Sequence, residues 1–212
     1  IDGGWSVPGE PYTKAQGTDF LWWRARMLGG RTNHWGRLSL RFNPGDFKGY
    51  SRDGHGVDWP VDYDEMAPWY DKAEKLVGVA GNNPGIEDLP DSSPGALQPP
   101  PKPRVPELLL MAAGKKLDIP VIPMRRAVLT RPIDDRQACF YATNCGRGCS
   151  IGAAFQTTTS LLPMAQATGN IKIVTDAMVK SVESNDEGKV TGVTFIDRKT
   201  MEPVSLNARI VV

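Results

Sequence analysis

Three thiols crowd into one short segment of this sequence. Cys139, Cys145 and Cys149 are its only cysteines, and all fall within Cys139-Phe-Tyr-Ala-Thr-Asn-Cys-Gly-Arg-Gly-Cys149. Soft thiolates on a glycine-rich, turning backbone can converge on one metal centre. An odd number of cysteines argues against a closed set of internal disulfides. The leading reading is an iron–sulfur site with Cys139, Cys145 and Cys149 as metal ligands. Three thiolates are too few for the usual four-cysteine cluster. The spacing suits a three-iron cluster, with one cysteine per iron. Three plainer readings stand beside it. The cysteines could be structural packing residues. A zinc site would need a fourth ligand, and neither His34 nor His55 is close in sequence. A disulfide between two of the three would suit an oxidising compartment.

A second segment, Arg26-Met-Leu-Gly-Gly-Arg-Thr-Asn-His-Trp35, points to different chemistry. Paired glycines let backbone approach a dinucleotide's pyrophosphate and ring, because no side chain intervenes and unusual dihedrals are tolerated. Gly29 and Gly30 supply that approach. Thr32, Asn33 and His34 add polar groups, and Trp35 adds an aromatic surface. Gly-Gly alone would be better read as a tight turn beside a buried Trp. With His34 and Trp35 at this spacing, the balance tips towards a flavin.

Other features set limits. The chain has 212 residues, long enough for one large domain or two small ones. Its 40% hydrophobic and 23% charged composition is that of an ordinary globular protein. A net charge of +1 gives no reason to expect nucleic acid or an anionic membrane as partner. No apolar run approaches the ~20 residues that span a bilayer. No G-x-S-x-G elbow or Walker loop supports a hydrolase or nucleotidase. The opening Ile1-Asp-Gly-Gly lacks an initiator Met, and Ala208-Arg-Ile-Val-Val212 reads as a strand stopped halfway. The sequence therefore reads as an internal portion of a longer polypeptide.

The elements that must position these groups are partly visible. Residues 1–19 read as loop, followed by an apolar run from Phe20 to Leu28. Residues 43–60 are dense in turn formers and predict irregular structure. Asp62 and Glu65 predict a capped helix start, with Met66, Trp69, Ala73, Leu76 and Val77 at helical spacing and Gly78 as the stop. Pro68 predicts a break, or a new first turn, within that run. Residues 84–106 hold eight of the 18 prolines and predict a stiff, extended excursion. Helical patterning resumes from Glu107 to Leu117. Leu161 to Ala167 predicts a helix ending at Gly169. Ile171–Val174, Ala177–Val182, Val190–Ile196 and Val204–Val212 predict antiparallel strands. Most of the basic run Arg24, Arg26, Arg31, Arg37 and Arg41 reads as structural ion pairing, and His55 as a loop residue.

Taken together, these segments resemble the glucose–methanol–choline (GMC) family of flavin oxidoreductases. The resemblance is best to the bacterial sugar and gluconate dehydrogenase branch and to pyranose oxidases. The residues that carry it are Arg26 to Gly36, Asp58-Trp-Pro-Val-Asp-Tyr-Asp-Glu-Met-Ala-Pro-Trp-Tyr70, Asp71-Lys-Ala-Glu74, Cys145-Gly-Arg-Gly-Cys149 and Ala165-Gln-Ala-Thr-Gly-Asn170. The resemblance covers most of the chain from about residue 20 onward.

It implies an α/β (α+β) fold: an incomplete FAD/NAD(P)-binding Rossmann-like domain with part of a substrate domain and an antiparallel β-meander. Residues 1–60 would hold the flavin-contacting segment, 61–135 a helical and proline-rich part of the cap, 136–159 the cysteine loop, and 160–212 a helix and the meander. Gly29 and Gly30 would lie against FAD, with Thr32, Asn33 and Trp35 beside it. His34 would stand where some relatives attach the flavin covalently and others do not. Val179 would contact the adenine through its backbone. Cys139, Cys145 and Cys149 match cysteines that carry a 3Fe-4S cluster in some dehydrogenases of this branch. The implied activity is oxidation of a CH–OH group of a sugar or polyol, with electrons relayed to a cytochrome or quinone. A small export subunit and a periplasmic location are implied as well.

The departures are as informative. The family's G-x-G-x-x-G fingerprint is absent, and Gly146-Arg-Gly148 with Gly152 has the wrong spacing. The C-terminal catalytic His is absent too, so no catalytic residue is assigned here. Two alternatives follow: an oxidase with structural cysteines, and a non-catalytic, cluster-binding or structural portion.

Overall fold

Residues 15–18, 25–141 and 145–212 are described by the computed structural model. Most of the expected N-terminal loop, most of the apolar run beginning at Phe20, Arg24, and Ala142, Thr143 and Asn144 of the cysteine loop lie outside the described residues. The chain divides into two units, one running through Ala167 and the other comprising Thr168–Val212. Among the described residues no helix is long and apolar enough to cross a membrane.

Helix starts in the first unit follow side-chain capping. The expectation that residues 43–60 are irregular is corrected: they contain α1 (Pro44–Phe47) and α2 (Gly49–Asp53). Asn43 accepts from the Asp46 amide while Asp46 accepts from the Asn43 amide, a reciprocal cap that satisfies otherwise free N–H groups. Phe47 is buried and meets Phe42, Trp59 and Tyr63 edge-on. That aromatic contact gives the two short helices a reason to form that turn statistics do not register.

Helix α3 spans Tyr63–Val77, with the Asp62/Glu65 capping box at its start and Gly78, at φ +80°, at its end. Pro68 does not break it, contrary to expectation. Proline removes one backbone donor and crowds the carbonyl four residues earlier. Pro68 and Asp64 are both exposed, so the carbonyl left without a helical donor is on a solvated residue. Helix α4 (Val105–Lys116) begins with Pro106 in its first turn, where a missing N–H costs little.

The core of this unit is Val79, Ala127 and Phe155, against which Trp35, Val77, Leu97 and Leu161 pack. Val79, Ala127 and Phe155 come from extended segments joined by single bridges rather than a continuous sheet. Ala80 pairs with both Gln98 and Arg126, and Val128 pairs with Ala154. The Ala127 amide donates to Arg37 O and its carbonyl accepts from Phe155 N, both at 2.9 Å. The residues after the Gly-Gly turn and those after the cysteine loop are thereby laid on either side of Ala127. Helix α5 (Leu161–Ala167) closes the unit.

The second unit is a three-stranded antiparallel meander, with β1 (Ala177–Ser184), β2 (Val190–Asp197) and β3 (Pro203–Asn207) adjacent in that order. The Asn185 side chain turns β1 into β2 by accepting from the amides of Glu187 and Lys189. Two strand expectations are corrected. Ile171–Val174 is not a strand, because none of its residues pairs with another segment among the described residues. The last strand stops at Asn207 rather than Val212, beyond which Ala208 makes one further bond to Thr191 O.

Candidate functional site

The Gly-Gly segment folds as a 3-10 turn, Gly30–Asn33, preceded by Gly29. Gly29 (φ +86°) and Gly30 (φ +52°) both lie in the left-handed region that side chains disfavour. Their surroundings differ. A Cβ on Gly29 would collide with Asn33 Oδ1 and Thr158 Cγ2, each 2.9 Å away, whereas one on Gly30 would meet nothing within 4 Å. Gly29 therefore serves the turn's own packing, and Gly30 presents bare backbone to open space.

Thr32 and Asn33 hold the turn shut. Thr32 Oγ1 donates to Gly29 O at 2.5 Å, and Asn33 Nδ2 donates to Leu28 O at 2.8 Å. The same two residues bind a second segment, which begins at Gln156. Thr157 N donates to Thr32 Oγ1 (3.1 Å), Thr158 Oγ1 to Asn33 Oδ1 (3.1 Å), and Gln156 Nε2 to Asn33 O (2.9 Å). Trp35 completes the clamp: its indole N–H donates to Phe155 O at 3.3 Å, and its ring meets Phe155 edge-on. Thr32 and Asn33, expected as cofactor contacts, thus spend their polar groups on the scaffold. His34 differs from its neighbours. Its Nε2 is buried and has no hydrogen-bond partner among the described residues.

Gln156, Thr157 and Thr158 were not singled out by sequence reasoning. A run of short polar side chains beginning just after Phe155 is the signal that marks them, and only the fold shows that they close on Thr32 and Asn33.

The cysteine loop returns to the same neighbourhood through its C-terminal end. Cys139, Cys145 and Cys149 are half-buried thiols. Two of the sulfurs accept backbone N–H groups: Cys139 Sγ from Tyr141 N at 3.2 Å, and Cys149 Sγ from Ala154 N at 3.4 Å. Among the described residues no three His, Cys, Asp or Glu side chains form a ready metal group. Thiolates are soft donors of the kind that iron and sulfide favour, but among the described residues the three form no common group.

Two arginines of this unit are buried without a carboxylate partner among the described residues. Arg37, at φ +60°, donates to Trp35 O (2.6 Å) and Asn33 O (3.1 Å), while its Nε has no partner. Arg136 donates to Gly152 O (3.0 Å) and Val77 O (2.9 Å), while its Nη2 has none. The expectation of ion pairing fails for Arg37, which has no carboxylate partner among the described residues. It holds for Arg41, which grips Glu74 with two bonds and Asp71 with another, donates to the Tyr63 hydroxyl, and lies over the Tyr70 ring. Burial acts to lower the Arg41 pKa, but the bonds to Glu74, Tyr63 and Asp71 outweigh it and raise the pKa.

Val179 stands on β1 in the second unit, opposite Phe195 and beside a register shift, with its side chain exposed. His55 follows α2 in an exposed turn.

With this geometry in place, the chain can be compared with known proteins. Residues 9–212 match the family model for GMC oxidoreductases. The chain is 33% identical over 174 residues to the fructose dehydrogenase large subunit of Gluconobacter japonicus, covering 80% of this chain and 31% of that protein. It is 34% identical over 188 residues to a 2-methyl-1,2-propanediol dehydrogenase of Mycolicibacterium austroafricanum, covering 87% and 33%. It is 32% identical over 202 residues to a 6'''-hydroxyparomomycin C oxidase of Streptomyces lividus, covering 92% and 36%. The chain spans about one third of the length of these curated relatives.

Proposed function

The chain belongs to the GMC oxidoreductase family, and from that premise we propose that it forms part of an FAD-dependent enzyme oxidising the CH–OH group of a sugar or related alcohol. The observation that carries this reading is His34. A buried imidazole nitrogen without a partner, one turn from the bare backbone of Gly30, fits a site completed by a bound group. FAD, when bound, supplies the hydride acceptor for carbinol oxidation.

This chain's residues would prepare that site. Gly30 offers unobstructed backbone to the cofactor, and Gly29 lets the turn close tightly beneath it. Thr32 and Asn33 fix the turn against Gln156, Thr157 and Thr158, so that His34 is presented in one orientation. Trp35 ties the turn to Phe155 and hence to the core. Positioning of this kind is what a protein contributes to cofactor chemistry. His34 would either bond covalently to the flavin or donate to it. Val179 backbone would meet the adenine. In this reading the described elements are parts of an incomplete Rossmann-like FAD domain and of a substrate domain.

Cys139, Cys145 and Cys149 would hold a three-iron cluster, whose chemistry is single-electron transfer to an external acceptor such as a cytochrome. A relative named as a large subunit supports a partner subunit for the intact protein. The family resemblance favours a periplasmic location for the intact protein.

A second reading has its own support. One relative is an oxidase, and no three-thiol group converges among the described residues. Both favour an enzyme that hands electrons to oxygen and keeps its cysteines for structure. Iron, sulfide and FAD contents of the intact protein, compared with its Cys145→Ser and His34→Ala variants, separate the two. The relay predicts iron that is lost in Cys145→Ser with FAD retained. Iron-free protein with full FAD would leave the oxidase reading. FAD that stays bound to His34→Ala after denaturation would rule out a covalent bond at His34.

A further inference from the structure

Arg37 occupies a backbone conformation and an environment that both disfavour it. Its φ of +60° lies in the left-handed region, where a side chain crowds the backbone. The residue is 2% exposed, and no carboxylate pairs with it among the described residues. A cation taken out of water needs an opposite charge to offset its lost hydration. Arg41 shows the other arrangement in the same chain: two carboxylates and a phenol surround it. Backbone strain kept at such a position points to function rather than to stability.

The bonds that Arg37 does make centre on His34. Nη2 donates to Asn33 O at 3.1 Å and Nη1 to Trp35 O at 2.6 Å, so one planar fork holds the carbonyls on either side of that histidine. Gln156, itself 5% exposed, adds a second donor to Asn33 O at 2.9 Å. The amides of His34 and Trp35 both donate to Arg31 O, at 3.1 and 3.0 Å. The Asn33–His34 peptide is therefore held through its oxygen and its N–H at once. Two buried polar atoms without a partner lie in this same stretch, His34 Nε2 and Arg37 Nε. The backbone around His34 is bonded while its imidazole Nε2 is not, which suits a side chain fixed for a group from outside.

We infer that Arg37 is the positioning residue of His34: its guanidinium bridges the Asn33 and Trp35 carbonyls and so fixes the imidazole towards the flavin. This rests on the flavin proposed beside His34. Arg37 acts through the backbone of His34, and the fork shape matters as much as the charge. A lysine ammonium, a single point of charge, does not reproduce a bridge between two carbonyls. Glycine at this position removes the bridge while relieving both the left-handed strain and the burial of an unpaired cation.

The test is urea unfolding of the intact protein at a series of FAD concentrations, for the parent, Arg37→Gly and Arg37→Lys. Stability without added FAD reports the fold, and its rise with FAD reports binding. Where the flavin is covalent, the share retained after denaturation takes the place of affinity. Hydrogen exchange of the peptide covering residues 29–36 and the visible circular dichroism of the bound flavin are read alongside. Arg37→Gly is expected to keep about the parent's stability without FAD and to exchange the His34 and Trp35 amides faster. Its FAD binding should be roughly tenfold weaker, as when the competent geometry falls to about a tenth of the population. Arg37→Lys is expected to bind FAD as weakly. Parent affinity in Arg37→Lys would overturn the inference, because charge and not the bridge would then matter. An Arg37→Gly variant that fails to fold, or loses stability without FAD, would overturn it as well, since Arg37 would then be structural. Unchanged FAD affinity, dichroism and exchange in folded variants would overturn it and leave the flavin reading standing. A parent protein that binds no FAD would remove that reading, and the inference with it.

Discussion

Replacing Arg41 by Met tests how α3 is held to the chain that follows the Gly-Gly turn. The guanidinium and the Glu74 carboxylate have side-chain exposures of 2% and 6%, so the pair is shut away from water. Nε and Nη2 bond the two Glu74 oxygens at 2.9 and 2.6 Å, and Nη2 also reaches Asp71 at 2.5 Å. Asp71 keeps a bond from the Ser93 amide when Arg41 is removed, but the Glu74 carboxylate has no other hydrogen-bond partner among the described residues. Arg41→Met therefore leaves a buried carboxylate uncompensated, which costs about 3–5 kcal/mol. Removing both charges, as Arg41→Met with Glu74→Met, restores most of that loss, because a buried ion pair is worth little more than well-packed apolar groups of similar volume. The assay is urea unfolding of the intact protein and the three variants, compared as a double-mutant cycle. A single-variant loss below about 1 kcal/mol, the range of exposed pairs, would refute the reasoning. So would a double variant that loses the sum of the two single costs.

Other outcomes follow from the same structure. Pro68→Ala should stabilise α3 by roughly 2 kcal/mol, being the ~3 kcal/mol cost of interior proline less its benefit in the unfolded chain, as read from the urea midpoint. Gly78→Ala should destabilise by about 2–4 kcal/mol, since the position needs a left-handed backbone and a Cβ would strike Leu129. Asp71 should give an acid-side loss of stability. Burial acts to raise its pKa, but bonds from Ser93 and Arg41 outweigh it and hold the carboxyl below its ordinary value. A depressed folded pKa means the contribution is present above about pH 4 and is lost as pH falls further. Asp71→Asn should flatten that part of a stability–pH profile, and a profile unchanged by the substitution would contradict the assignment.

Elements governed by local chemistry were legible in the sequence. The Asp62/Glu65 box, the Gly78 stop, Leu161–Ala167 and the Asn185 turn each depend on a few neighbouring side chains. Pro68 misled because its cost depends on which helix face it occupies. Residues 43–60 misled because Phe47 is buried by aromatic groups that include Trp59 and Tyr63. The apolar stretch Ile171–Val174 reads as a strand, but a strand exists only with a partner to pair with. In the candidate site, the Gly29–Gly30 turn and the three thiols stood out by residue type and spacing. Arg136 and the segment Gln156 to Thr158 did not, because their importance arises from contacts made across more than a hundred residues or through burial. Arg37 looked like one more member of a basic run until its guanidinium was seen facing carbonyls rather than carboxylates.

The central claim is a flavin and an iron–sulfur cluster in one polypeptide, and the visible absorption spectrum of the anaerobically purified intact protein tests it most directly. Flavin bands over a broad iron–sulfur absorption, both bleached when a sugar or polyol substrate is added, are the predicted result. A colourless protein that does not take up added FAD would contradict it.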